Sequence, residues 1–352
     1  MLNLISRFFH RSPPPGLRKV PPPAQGPRKE AVIPAVPDPF DEPWRLLNGA
    51  EAAPRPWSQE EQDLVDRIEP LVLGHFGEHR PSLTSFPALA IRIIDLLNDP
   101  DLDMNQLLKA ISPDPAIAVH ILRVANSAMY SRGTEVQDMR VAVMRIGLRG
   151  VGEIAAGVAG RSLFDVALRV EYNLFGERWN RLFLDTMAVA FGSSQFAFEQ
   201  QVGRADRAFQ AGMFVDIGKT IALRSLAALT LAGKVEPGLP ARVVDELLER
   251  VHVEVGCTLH QIWNLPAHLA ELCREHHEPV LPDDPEHMDA HILRLVTGIH
   301  RLVLNPLDTA RLEETRQSIQ AMRLVRRGVK LLHQEMAEQV ARVAVLYPAP
   351  AS

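Results

Sequence analysis

The side chains able to do chemistry are concentrated in the second half of the 352-residue chain. They are Asp216 and Lys219 in AGMFVDIGKT (Ala211–Thr220), His252, and the adjacent His276-His277 of REHHEP (Arg274–Pro279). Imidazoles and a carboxylate can hold a divalent ion, which lowers the pKa of a bound water and neutralises a phosphoryl oxygen. Each residue also has a plainer use. Asp216 can cap a helix or pair with Lys219, and the histidines can serve as satisfied polar groups at helix ends. Other chemistries lack their motifs. No Gly-x-x-x-x-Gly-Lys-Ser/Thr loop and no Gly-x-Ser-x-Gly elbow occurs, and Glu275-His276-His277-Glu278 lacks the histidine spacing of a zinc protease helix. Cys257 and Cys273 sit in apolar helical patterns without Cys-x-x-Cys spacing, which reads as core thiols in a reducing compartment.

These residues must be carried by helices. Phe86, Leu89, Ala90, Ile93, Ile94 and Leu97 form a stripe of 3.6-residue period. Asp103 with Gln106 makes a capping pair ahead of Met104, Leu107, Leu108 and Ile111, and Asp114-Pro115 is a second helix start. Ile117, Ile121, Val124, Ala125 and Ala128 give that helix its buried face, and a polar loop over Ser131–Asp138 precedes Met139, Val143, Ile146 and Leu148. Gly, Pro and charge clusters punctuate further helices up to Tyr347, and no sustained alternating strand occurs. The fold class is therefore all-α. Trp179 and Trp263 read as core anchors. Residues 1–56 hold nearly half of the 28 prolines and read as an extended, unpacked tail. Its basic start, MLNLISRFF onward, has no continuous apolar run and no small-x-small cleavage site, so a secretory signal is not expected; a spacer is the plainer reading, with a weak surface anchor or a docking peptide as alternatives.

Two stretches carry a family resemblance. PSLTSFPALAIRIIDLLNDPDLDMNQLLKAISPDPAIAVHILRVANSAMYS (Pro81–Ser131) combines a proline-flanked helix, an acidic turn, a Ser-x-Asp-Pro helix start and an Ala-Asn-Ser segment. AGMFVDIGKT stands where HD proteins carry Gly-Leu-Leu-His-Asp-Ile-Gly-Lys. HVEVGCTLHQIWNLP (His252–Pro266) and REHHEP complete the set. In order and spacing these resemble the HDOD family, a degenerate relative of the HD and HD-GYP metal phosphohydrolases, over roughly residues 80–300.

The resemblance implies a helical HD-like domain over 57–300, with an N-terminal part 57–164, an HD-like part 165–300 and a helical extension over 301–347. It also implies a dismantled metal centre. The signature His-Asp is Val215-Asp216, the upstream histidine falls on Asp185 before Thr186, and the distal aspartate falls near Thr297. Asp216, His252, His276 and His277 remain. The remnant pocket is thus expected to comprise Asp185, Asp216, Lys219, His252, His276 and His277, with no catalytic residue, metal or cofactor. The family implies a cytoplasmic bacterial signalling platform for a protein partner, in a setting such as cyclic-dinucleotide turnover, response regulators or motility control. A divergent metal phosphohydrolase and a ligand-binding sensor are the alternatives. The net charge of −5 argues against a nucleic-acid partner, and no apolar run is long enough to span a bilayer.

Overall fold

A computed structural model describes residues 38–49, 56–79, 87–131, 133–164 and 169–348, the side chain of residue 169 excepted. Among these the chain is helical throughout and contains no strand. Phe86 and the rest of 81–86, together with most of the proline-rich tail, lie outside the described residues.

Local signals start the first helices. The Asp103 carboxylate accepts from the Asn105 and Gln106 amides while the Gln106 side chain accepts from the Asp103 amide, a reciprocal cap on α4 (Met104–Ile111). Asp114 caps α5 (Pro115–Asn126) and Asp138 caps α6 (Met139–Ile146) through their second- and third-position amides. Asn126, the asparagine of the Ala-Asn-Ser segment, exchanges two 2.7 Å hydrogen bonds with the Val136 backbone and so pins the loop between α5 and α6. These helices pack with α3 (Ala88–Leu97) and α7 (Leu148–Gly160) as the N-terminal lobe.

The second lobe is built on α9 (Arg178–Gln200), which packs against α10 (Ala205–Phe214), α14 (Met288–Leu304) and α16 (Arg326–Leu346). Beside it, α11 (Ile217–Leu231) lies on α12 (Ala241–Ile262), and both are covered by α2 (Gln59–His79) through Val65, Ile68, Val72 and Phe76. The main apolar cluster runs from Ile68 to Tyr347 and crosses both lobes, so the two parts share one core. Trp179 and Trp263 are buried within it.

Two boundaries expected from the sequence need correction. The unpacked tail does not extend to residue 56, because Asp41–Leu47 form α1, with Phe40, Leu46 and Leu47 buried. This helix is held by tertiary partners: Arg316 donates to the Leu46 and Leu47 carbonyls, and Arg326 pairs with Asp41 at 2.8 Å. Nor is 301–347 an appendage. Residue 300 lies inside α14, and Val343, Leu346 and Tyr347 of the last helix and its cap belong to the main core. The Tyr347 hydroxyl donates to the Ile154 carbonyl at 3.2 Å, and its ring meets Phe183 edge-on.

Two glycines of AGMFVDIGKT set helix separations. A Cβ at Gly212 would strike the Ala190 backbone on α9, and one at Gly218 would strike the His252 carbonyl and the Gly256 amide on α12. Backbone cannot step aside as a flexible side chain can. Gly218→Ala is therefore expected to lower unfolding stability by about 1–3 kcal/mol or more, the range for overpacked sites, read from urea denaturation of the full chain. An unchanged midpoint would mean that α11 and α12 separate freely.

Candidate functional site

Asp216 occupies the N-cap position of α11, but its carboxylate caps no backbone amide. It turns instead to Lys219, whose ammonium stands 3.0 Å from Asp216 Oδ1 and 2.9 Å from Glu249 Oε1. Glu249 and His252 lie one turn apart on α12 and face α11 across the Gly218 contact. Arg301 of α14 reaches Glu249 Oε1 at 2.8 Å, and Arg311, at the start of α15 (Leu312–Ala321), reaches Oε2 at 3.2 Å. Arg301 and Arg311 are themselves paired with Asp308 and Glu314.

The histidines converge beside this network. His252 is fully buried on α12, His276 caps the C-terminus of α13 (Ala267–Glu275), and His277 follows. One ring nitrogen from each lies within 4.8 Å of the others. His252 Nε2 is 3.3 Å from His276 Nε2, 2.9 Å from His277 Nε2 and 3.5 Å from Asp216 Oδ1. The Nδ1 atoms of His252 and His276 each donate to a backbone carbonyl, of Glu249 and Cys273 respectively, at 2.8 Å. Such outer bonds fix the tautomer and leave Nε2 with its lone pair toward the centre. His277 Nδ1 is buried without a hydrogen-bond partner.

Electrostatics follow from burial and these contacts. Burial drives the Asp216 and Glu249 carboxyls upward, but Lys219 with His252 at Asp216, and Lys219 with Arg301 at Glu249, outweigh it and hold both below the ordinary range. Burial alone would lower Lys219; Asp216 and Glu249 raise it. The imidazoles go the other way. Burial, reinforced by Lys219, lowers His252; burial and the neighbouring His252 bring His276 to about 3; burial and His276 lower His277. All three are therefore neutral at neutral pH, the state in which imidazole binds a metal.

The donor set suits one ion better than two. Three neutral imidazoles with Asp216 at the edge could hold a single cation. A second ion would meet the Lys219 ammonium between the two carboxylates, and Val215, 3% exposed in the second apolar cluster, offers no ligand atom.

Asp185, expected in the same pocket, is 3.1 Å from His300 Nε2 on α14 and pairs with it. Asp185, Asp216, Lys219, Glu249, Thr297 and His300 line one cleft of about 410 Å³. His252, His276 and His277 are not among its walls; they lie behind Asp216. Sequence reasoning missed Glu249, His300, Arg301 and Arg311. Glu249 carries one usable signal, its place one helical turn before His252.

The HDOD domain model matches residues 83–279. An uncharacterised protein of Treponema pallidum (strain Nichols) is 26% identical over 216 residues, 58% of this chain and 39% of its own length. The chain thus spans about two-fifths of that curated relative. Among solved structures, an HDOD domain protein of Geobacter sulfurreducens aligns with a TM-score of 0.55 at 20% identity, over 81% of this chain and 99% of its own. A candidate metal-dependent phosphohydrolase from Shewanella amazonensis SB2B gives the same score and identity over 80% of this chain and 100% of its own. A candidate signal transduction protein from Marinobacter aquaeolei VT8 scores 0.53 at 20% identity, over 88% and 64%. At these identities the structural likeness concerns the fold.

Two outcomes follow from the site. Glu249→Gln leaves Lys219, Arg301 and Arg311 short of their shared anion, and breaking a buried pair on one side costs about 3–5 kcal/mol. Since Glu249 is 21% exposed, the lower end is expected in urea titrations, and a loss under about 1 kcal/mol would show that water already carries these charges. Separately, the unfolded chain protonates His276 near 6.5, whereas the fold resists until about 3. The unfolded state then binds more protons below 6.5, so this contribution is complete above that pH and declines as pH falls through the interval. The thermal midpoint should drop between about pH 7 and pH 5, with a shallower slope in His276→Gln; equal slopes would refute the assignment.

Proposed function

The chain belongs to the HDOD domain family, and on that premise we propose that it is a non-catalytic regulatory module that acts by binding a protein partner in signal transduction. The observation that carries this reading is Lys219. Its ammonium lies between Asp216 and Glu249, so charge that a second metal would supply comes from the chain itself. Two further features support it. Val215 has joined the apolar packing, and the imidazoles stand behind Asp216 rather than on the cleft wall where a phosphoryl group would enter. A two-metal displacement needs both ions to contact the attacking and leaving oxygens, and this donor set does not suit that.

The partner follows from the family resemblance: a response regulator or an enzyme of cyclic-dinucleotide turnover, met in the cytoplasm. No helix among the described residues is long and apolar enough to cross a membrane. A second reading, a divergent metal phosphohydrolase, draws on the imidazole triad. In that case His252, His276 and His277 would hold the ion and Lys219 would face the substrate phosphate; the ion would supply an activated water.

The two readings separate in one experiment on the full chain, expressed without a histidine tag and supplied with manganese and iron. The expected result is no release of nitrophenolate from bis(p-nitrophenyl) phosphate above that of Asp216→Asn, whatever the metal content by elemental mass spectrometry. Metal-dependent turnover that Asp216→Asn and His252→Ala both abolish would overturn the regulatory reading.

A further inference from the structure

We propose that Cys257 and Cys273 form a reversible dithiol–disulfide pair which, when oxidised, ties α12 to α13. Both cysteines are free thiols in the structure. Cys257 lies on α12 and Cys273 on α13, two helices packed against one another. The surrounding geometry agrees. The Cys257 sulfur approaches the Ala270 carbonyl at 3.9 Å, one turn before Cys273 on α13. A Cβ on Gly256 would come within 2.9 Å of the Cys273 sulfur, so α13 lies directly on the backbone beside Cys257.

The two sulfurs differ as an attacking and a resolving thiol must. Cys257 is partly exposed, whereas Cys273 is buried. The neighbouring Cys273, assisted by Arg274 and against the effect of burial, brings the Cys257 thiol down to about 7. Cys257 and burial together drive Cys273 upward. Thiolate character with access to solvent is what selects one cysteine for exchange.

The oxidant is a low-molecular-weight disulfide. The Cys257 thiolate attacks one of its sulfurs, forming a mixed disulfide and expelling one thiolate. The Cys273 thiol gives its proton to that thiolate and attacks Cys257 Sγ, expelling the second. Two protein thiols become one disulfide, and one small disulfide becomes two thiols. The Cys273 sulfur then loses its S–H contact to the Val215 carbonyl, 3.7 Å away. Because α12 carries His252 and α13 ends at His276, the bond would fix the separation of the two helices that hold the triad. The inference stands whether or not the triad holds a metal.

The test uses the reduced full chain incubated with oxidised glutathione and mapped by non-reducing peptide mass spectrometry. The expected product is an intrachain Cys257–Cys273 linked peptide, reversed by dithiothreitol, with a thermal midpoint above that of the reduced chain. Cys273→Ser should stop at a glutathione adduct on Cys257, and Cys257→Ser should leave Cys273 unmodified. Three outcomes in the wild-type chain would overturn the proposal: a persistent glutathione adduct on Cys257, links only between chains, or no reaction at either sulfur.

Discussion

The centre of this molecule depends on a backbone-to-backbone contact. At Gly218 the first turn of α11 lies so close to α12 that no side chain fits between them. That approach brings Asp216 and Lys219, flanking the glycine, level with Glu249 and His252 on the facing helix. Gly256 repeats the arrangement one turn further on, with its amide beside Gly218 and its other side against the Cys273 sulfur of α13. Three helices thus meet where two glycines remove the usual spacing, and His276 and His277 are delivered by the third. Glycine is unfavourable inside a helix relative to alanine; here the close approach requires it.

Close helices concentrate charge, and the charges must balance. Glu249 receives Lys219, Arg301 and Arg311, and the surplus positive charge is returned to Asp216, Asp308 and Glu314. Such a network gains little over well-packed apolar residues, because desolvation consumes most of the Coulombic attraction. It is nevertheless sensitive to the loss of any one member. The neutral imidazoles sit beside it without adding charge, because burial lowers all three and Lys219 further depresses His252.

How much of this was legible in the sequence depends on the range of the interaction. The Asp103–Gln106 cap and the Asp114-Pro115 helix start are written within a few residues and appear as read. The order and spacing of AGMFVDIGKT, His252 and His276-His277 pointed to Asp216, Lys219 and the three imidazoles, which the fold brings close together. His300, Arg301 and Arg311 carry no motif; they join through helices distant in the chain and were invisible for that reason, whereas Glu249 was marked only by its place one turn before His252. Helix α1 escaped for a related cause. It is too short to be stable alone, and its Phe40, Leu46 and Leu47 are held by α15 and α16 from the far end of the chain. Proline content reports local stiffness and says nothing about such remote partners.

Val215 shows why one substitution would not give this centre the His-Asp pair of the HD pattern. It lies at the junction of α10 and α11, where Asp216 faces the charged network and Val215 faces the second apolar cluster with Val189, Ala211 and Leu272. A histidine there would have to place an imidazole among apolar side chains, where a polar group without a partner is costly. Otherwise it would have to rotate the junction, and Gly212 and Gly218 on either side are already fixed against the backbones of α9 and α12. Lys219 would still stand between the two carboxylates. Val215, its apolar packing and the internal cation therefore constrain one another, and building a two-metal site here would require changing them together.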